Sequence, residues 1–238
     1  TRLAIRRRLS TGENFDLQTG GNLDKPDEQN WVLKYLETQR VLVVVMSPSC
    51  RSTGPPSRLN RAINYDTWEA HYHEDRPHSA FCGKVALFQL DHGRHFFCEQ
   101  PHPSYIWNVR PWTEVKKRPE LLTIRIDQCM LNQWIDGVRA RKQSLCSASH
   151  PALLRPFEGT VCDGRHKHAE TWGRSKKLHL TQIWTWEFAN TVVQGILDLR
   201  RALRRGSAYP VASAQADEAD IDRAAQRKTR RPAIGVEG

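Results

Sequence analysis

The clearest structural signal in this chain is the run Val41-Leu-Val-Val-Val-Met46, which is followed directly by Ser47-Pro-Ser-Cys50. A short run of mostly β-branched residues that is apolar at every position is typical of a strand buried on both faces of a parallel sheet. A Gly/Pro/Ser-rich stretch through Ser57 then ends the strand. We therefore expect the loop that carries Cys50 to open at the carboxyl end of a buried strand, where open α/β sheets form their ligand crevices.

The residues on either side of this strand predict an alternating order of strands and helices. Residues 27–38 and 66–90 carry apolar side chains at helical spacing, with an interruption predicted at Pro77 and a stop at Gly93. The other predicted elements are strands at 13–17, 94–98, 121–126 and 141–146 and helices at 112–118 and 182–205. This order predicts a single α/β domain over residues 1–205.

Charge and cysteine usage limit the function. The chain of 238 residues has a formal net charge of +10, and such an excess attracts polyanions, so DNA or another nucleic acid is the expected partner. No apolar run approaches the roughly 18–20 residues of a membrane span, so no membrane partner is expected. Six cysteines without a short repeated spacing indicate a reducing, intracellular compartment.

The two ends of the chain carry their own predictions. Residue 1 is Thr, so we expect the chain to start inside a longer reading frame. Residues 206–238 contain almost no large apolar side chains and many basic ones. Such a segment does not bury enough surface to order itself, so it is predicted to be a flexible basic tail.

Two predicted strands are followed by side chains with catalytic potential. Cys50 comes after the first strand, and Glu99 comes directly after the strand at 94–98. A Cys near a positively charged residue such as Arg51 is able to act as a thiolate nucleophile. A Glu whose pKa is raised by burial is able to donate a proton. The same residues also fit an unreactive buried Cys and a solvated carboxylate at a strand end. The residues alone leave both interpretations open.

Three segments together carry a family resemblance. They are Phe15-Asp-Leu-Gln-Thr-Gly-Gly-Asn-Leu23, Val43-Val-Val-Met-Ser-Pro-Ser-Cys50 and Gly93-Arg-His-Phe-Phe-Cys-Glu-Gln-Pro101. In this succession the chain resembles the cytosine-5 DNA methyltransferase fold. More closely, it is similar to the methyltransferase-like segment of some protist retrotransposon polyproteins. The resemblance runs from about residue 2 to residue 196, and Ser49 departs from the Pro-Pro-Cys loop usual in that segment.

The resemblance implies a Rossmann-like methyltransferase sheet with flanking helices, truncated at its N-terminus, and a nuclear location. Cys50 would add to C6 of cytosine while Glu99 protonates or hydrogen-bonds N3. C5 would then take the methyl group of S-adenosylmethionine, after the base has been flipped out of the duplex.

The resemblance also implies binding residues. Asp16, Asn22 and Pro48 would bind the cofactor S-adenosylmethionine. Asn22 stands where the family has an acidic residue near the adenine, with Asp16 or Asp24 as its substitute. Arg139, Arg141 and Lys142 would contact phosphate or the base, although a charged run also fits a solvated loop. The family's glycine-rich cofactor loop has no counterpart in the chain. Whether the domain is an active enzyme therefore stays open, and the alternative is a non-catalytic nucleic-acid-binding or structural module on the same fold.

A second group of residues has the chemistry of a metal site. Cys162, His166 and His168 lie close together in the sequence, with Cys129 or Cys146 upstream as a possible fourth ligand. Zinc prefers Cys and His ligands, but this spacing is irregular for a zinc finger. A polar loop whose imidazoles bind backbone or phosphate fits the same pattern, so no metal is assigned from the sequence.

Overall fold

A computed structural model describes residues 1–171 and 177–206, which form a mixed α/β fold. Most of the predicted tail, residues 207–238, lies outside the described residues. The helices are α1 (Arg2–Arg6), α2 (Pro26–Thr38), α3 (Pro56–Ile63), α4 (Tyr65–Asp91), α5 (Trp112–Val115), α6 (Pro151–Leu154) and α7 (Trp186–Gly206). The strands are β1 (Val43–Met46), β2 (His95–Pro101), β3 (Leu122–Asp127), β4 (Trp134–Ile135), β5 (Val138–Arg139) and β6 (Gln143–Ala148). None of the described helices has the length and apolar character needed to cross a bilayer.

Four strands form one mixed sheet in the order β1-β2-β6-β3. β1 runs parallel to β2, whereas β6 runs antiparallel to both β2 and β3. The long crossover through α3 and α4 allows β1 and β2 to be parallel, since parallel neighbours need a connection of a dozen or more residues. Residues 128–142 contain only a 3₁₀ turn and the small β4–β5 hairpin, so the chain returns as an antiparallel strand.

The central strand β2 divides the core into two layers. Phe96 and Cys98 face a cluster that includes buried residues of α2, α4 and α5. Phe97 faces the other cluster, which includes α6 and α7. Since side chains alternate along a strand, Glu99 lies on the same face as Phe97. This carboxylate is therefore placed on the α7 side of the sheet.

Several predicted elements are confirmed with shifted bounds. The structure contains the helices predicted at 27–38, 112–118 and 182–205 and the strands predicted at 94–98, 121–126 and 141–146. β2 extends three residues beyond its predicted end, so Glu99 lies inside the strand and not in the loop after it. Of the two interpretations of Glu99 that the sequence left open, the solvated carboxylate at a strand end is therefore wrong, because the side chain is buried.

The strand predicted at residues 13–17 is wrong. The chain instead forms a 3₁₀ turn at Leu17–Thr19, with Asp16 as its N-cap. The Asp16 carboxylate accepts a hydrogen bond from the Gln18 amide at 2.8 Å, and the Thr19 hydroxyl accepts one from the Asp16 amide at 3.2 Å. Such local bonds compete with a strand ladder for the backbone groups.

The predicted interruption of the long helix at Pro77 is also wrong. α4 continues through Pro77 from its cap at Asn64 to Asp91. Proline removes one helical N–H, but Asp75 on one side and Phe81 on the other are buried. Packing on both sides of the proline therefore holds the helix together.

β1 is not buried on both faces as its apolar run predicted. It is an edge strand of the described sheet, and Val45 is 40% exposed. The apolar run correctly predicts a strand, but it does not predict whether that strand has one or two neighbouring strands in the sheet.

Candidate active site

Glu99 is a fully buried carboxylate that is surrounded by donors. Oε1 accepts a hydrogen bond from Ser144 Oγ at 2.6 Å and one from Gln128 Nε2 at 3.2 Å. Oε2 accepts from Ser47 Oγ and from Trp184 Nε1, each at 3.2 Å. The Lys142 ammonium completes the set at 3.3 Å from Oε1. A buried carboxylate is tolerated only when it is paired and hydrogen-bonded, and Glu99 satisfies both conditions.

These donors come from four parts of the fold. Ser47 directly follows β1, and Gln128 directly follows β3. Lys142 and Ser144 lie just before and within β6, where that antiparallel strand begins beside the end of β2. Trp184 lies two residues before α7. The Glu99 site thus lies at the end of the sheet where the carboxyl ends of β1, β2 and β3 meet.

The loop that carries Cys50 is fixed by its backbone. The Cys50 carbonyl oxygen accepts hydrogen bonds from the amides of Thr53 at 3.3 Å and Gly54 at 2.7 Å. A Cβ at position 54 would lie 2.7 Å from that oxygen, so only glycine fits there. The Pro48 carbonyl accepts a hydrogen bond from Gln100 Nε2 at 2.7 Å, which ties the loop to the end of β2.

Arg51 does not serve the thiol as the sequence suggested. Its guanidinium binds Glu74 at 2.6 Å and Asp75 at 3.0 Å on α4. Asp75 also accepts a hydrogen bond from the Ser52 amide at 3.0 Å. The cation that acts on Cys50 is Lys142. Arg51 therefore anchors the loop, and the thiol shares its cation with Glu99.

The thiol of Cys50 is half-buried, and several charges act on it. Burial raises its pKa most strongly, the Lys142 ammonium lowers it, and the carboxylates of Glu99 and Asp75 raise it. The net direction is upward from the ordinary value. Because only the thiolate is a strong nucleophile, this upward shift of the pKa lowers the reactivity of Cys50 at neutral pH.

The three predicted nucleic-acid-binding residues lie together, but each has a partner within the chain. The Lys142 side chain is 11% exposed and is paired with Glu99. Arg141 pairs with Asp127 at 3.0 Å. Arg139 donates to the Cys129 carbonyl at 3.2 Å and lies over the Trp134 ring. Lys142 is therefore a component of the buried Glu99 site, and its contact with nucleic acid stays a prediction.

The predicted cofactor residues do not form one cradle. The Asp16 carboxylate caps a turn, and Asn22 Oδ1 accepts a hydrogen bond from the Asp24 amide at 3.0 Å. Pro48 is buried in the Cys50 loop. Asp24 lines a groove of about 430 Å³ beside α4, together with Gln29 and Lys84. The side chains expected to bind S-adenosylmethionine are thus engaged in local backbone contacts or lie apart.

The predicted metal ligands are brought together. Cys162, His166 and His168 converge with Cys129, and their ligand atoms lie within 4.8 Å of one another. Cys146 does not take part, because it lies within β6 opposite Glu99. Of the two upstream cysteines that the sequence left open, the structure brings Cys129, and not Cys146, to the three loop side chains.

Sequence reasoning missed three donors of the Glu99 site. Gln128, Ser144 and Trp184 are 29, 45 and 85 positions away from Glu99 in the chain. Nothing in their local pattern marks them, since each is an ordinary polar or aromatic residue within or next to a predicted element. Their shared function depends on the strand order, which the sequence did not specify.

Comparison with protein-family models, with curated proteins and with solved structures found no match to this chain.

Proposed function

We propose that this chain is a cytosine-5 DNA methyltransferase-like domain of a retroelement polyprotein. The observation that carries the proposal is the meeting of Cys50, Glu99 and Lys142 at the carboxyl ends of two adjacent parallel strands. In the family that the sequence resembles, a thiol and a carboxyl group in this order act on the same base. A sheet with helices on both faces and an antiparallel strand is also compatible with a doubly wound, Rossmann-like fold.

The proposed chemistry begins at the thiol. After its proton has left to solvent, Cys50 Sγ forms a bond to C6 of a flipped-out cytosine. The electron pair of the C5–C6 double bond moves toward C5 and N3, and Glu99 places a proton or a hydrogen bond on N3. C5 becomes a nucleophile. It takes an electrophile, which is a proton from water when no methyl donor is bound. Loss of the original C5 hydrogen as a proton, return of the N3 proton to Glu99 and expulsion of the Cys50 thiolate then restore the aromatic ring.

The cofactor implied by the resemblance, S-adenosylmethionine, supplies an electrophilic methyl group. The side chains of Asp16 and Asn22 do not fit its recognition, because both are occupied by backbone amides of their own turns. The described residues therefore fit the activation of the base and do not fit the binding of the methyl donor.

The experiment measures the activation of cytosine and requires no methyl donor. A cytosine activated at C6 exchanges its C5 hydrogen with water, so the full chain should release tritium from DNA that contains [5-³H]cytosine without any methyl donor. Cys50→Ser should abolish this release. Glu99→Gln should lower it by roughly 10²- to 10⁴-fold, the usual contribution of a general acid.

Matched variants separate chemistry from folding. Cys82→Ala, in the core on α4, and Glu158→Gln, at an exposed position, should release tritium at the rate of the unchanged chain. Circular dichroism should show native secondary structure in all four variants. If the unchanged chain releases no tritium from any cytosine-containing DNA, the methyltransferase-like function is wrong for this domain.

A second candidate function is that of a non-catalytic nucleic-acid-binding module. It is favoured by the raised pKa of Cys50, which disfavours the thiolate, and by the hydrogen bonds and ion pair that already occupy both oxygens of Glu99. The net charge of +10 would then provide the binding. DNA affinity should fall linearly with salt concentration on a double logarithmic plot and should be equal for the unchanged chain and Cys50→Ser.

Both candidate functions share one prediction about location. A nuclear location is the expectation that accompanies a DNA partner. α7 carries a cluster of arginines that would suit phosphate contacts or an import signal, namely Arg200, Arg201, Arg204 and Arg205.

A further inference from the structure

The loop of residues 158–170 holds its shape without a core of its own. None of these 13 residues is buried, and Val161 is 45% exposed. A loop normally gains its order from packed apolar side chains or from a cross-link, because fixing each backbone residue costs about 1–2 kcal/mol. The side chains that face inward from this loop are instead Cys162, His166 and His168.

The distances between these side chains match a tetrahedral metal site. Cys162 Sγ lies 3.7 Å from His166 Nε2 and 3.5 Å from His168 Nε2. A zinc ion with Zn–S bonds of about 2.3 Å and Zn–N bonds of about 2.05 Å, at the tetrahedral angle, separates sulfur from nitrogen by about 3.6 Å. The fourth ligand atom, Cys129 Sγ, lies within 4.8 Å of the other three.

We propose that Cys129, Cys162, His166 and His168 bind one Zn²⁺ ion. Two thiolates and two imidazoles are the donor set that favours zinc over calcium or magnesium. With four protein ligands the ion has no open position, so this is a structural site and not a catalytic one. The proposal is independent of the methyltransferase-like function.

The surroundings position the ligands for this role. The Gly164 amide donates to Cys162 Sγ at 3.3 Å, as amides do around thiolates that bind metals. Gly164 has a φ of +78°, which favours glycine and turns the chain between Cys162 and His166. The Cys162 amide donates to Asp127 at 2.9 Å, and the Ala169 amide donates to the Arg139 carbonyl at 2.7 Å.

The ion would join two parts of the chain that apolar packing does not join. Cys129 belongs to the 3₁₀ turn after β3, where it is fully buried, whereas the other three ligands lie in the loop. Binding energy gained only in the folded state is folding energy. Zinc should therefore order residues 158–170 more than the rest of the domain.

The experiment measures zinc on the full chain. The protein, freed of metal with a chelator under reducing conditions, should take up one Zn²⁺ per chain in a titration against a chromophoric competitor. Cobalt in place of zinc should give the visible absorption of a tetrahedral site with thiolate ligands. Zinc should also slow the cleavage of the loop by trypsin at Arg165 and Lys167, which are exposed.

Ligand variants and matched controls decide the assignment. His168→Ala and Cys162→Ala should weaken zinc binding beyond the roughly 10- to 100-fold loss typical of changes around a metal ligand. His168→Cys should restore much of the affinity. His73→Ala, at an exposed position of α4, and Cys82→Ala should bind zinc like the unchanged chain.

Three results would overturn the proposal. One is an unchanged chain that binds less than a tenth of an equivalent of zinc. Another is a His168→Ala variant that binds zinc as tightly as the unchanged chain while its circular dichroism stays native. The third is a Cys129–Cys162 disulfide in the protein isolated from reducing cells, found by mass spectrometry of its peptides.

Discussion

Two neighbouring cations, Arg141 and Lys142, reach two different buried acids at the same edge of the sheet. Lys142 pairs with Glu99 of β2, and its side chain is 11% exposed. Arg141 pairs with Asp127 of β3, and its side chain is 42% exposed. Glu99 belongs to the site that contains Cys50, whereas Asp127 accepts a hydrogen bond from the backbone amide of Cys162 in the cysteine and histidine cluster. Adjacent residues in one short segment thus serve two separate sites, and they differ in their access to water.

The largest expected effect is on stability, and it should differ between the two pairs. Lys142→Met leaves the Glu99 carboxylate buried without a cation, so the free energy of unfolding should fall by about 3 kcal/mol. Arg141→Met should cost about 1 kcal/mol, because water can take the place of a half-exposed guanidinium. Urea unfolding measures both values. Equal losses would mean that the difference in exposure does not control the strength of the two pairs.

A second pair of variants tests the donors around Glu99. Ser144 and Ser147 both lie in β6 and are both buried. Ser144 Oγ donates to Glu99, whereas Ser147 Oγ has no hydrogen-bond partner among the described residues. Ser144→Ala should lower the free energy of unfolding by about 2 kcal/mol, since hydrogen bonds to charged groups are the strong ones. Ser147→Ala should change it by less than about 0.5 kcal/mol, and a similar loss in both would refute a special role for the Glu99 contact.

The thiol site should show its raised pKa in its pH dependence. Because burial shifts the pKa of Cys50 upward, the thiolate fraction at neutral pH is smaller than in a free peptide. Iodoacetamide should therefore alkylate Cys50 several-fold more slowly at pH 7 than a model peptide, by roughly the ratio of their thiolate fractions. The rate should keep rising above pH 9, and mass spectrometry of the Cys50 peptide follows it. A plateau near neutral pH would indicate a pKa shifted in the opposite direction.

The smallest expected effect is the difference between Lys142 and Arg141 in their influence on the alkylation rate of Cys50. Lys142 lowers the pKa of Cys50, so its removal in Lys142→Met should raise that pKa and slow alkylation further. Arg141→Met should leave the rate within about twofold of the unchanged chain, because its guanidinium is held at Asp127. The comparison needs both variants to be folded under the assay conditions. An equal slowing by both would show a general loss of positive charge and not a local contact.

The sequence predicted the individual helices and strands better than it predicted which strands lie side by side and in which direction they run. The apolar run of β1 and the helical spacing of α2 are properties of adjacent residues, and these elements form where they were predicted. The strand order and the antiparallel direction of β6 depend on how distant segments pack. Periodicity carries no information about that packing, so the exposed edge at Val45 was not foreseen.

The candidate sites show the same division. Cys50 and Glu99 could be chosen because each follows or ends a strand, but the interpretation of Glu99 as a solvated group was one of the alternatives and is wrong. The partner of Cys50 was sought in the next residue, Arg51, and it is Lys142, 92 positions along the chain by numbering. The cysteine and histidine cluster could be recognised within the loop, while Cys129 had to be selected by the fold.

The reversed direction of β6 has a consequence for how this region tolerates change. Because β6 begins where β2 and β3 end, the residues just before it set which side chain meets which acid. With the register of β6 kept, inserting one residue after Lys142 would move Lys142 into the position of Arg141 and leave Glu99 without its cation. The length of this segment therefore determines which cation reaches which buried acid.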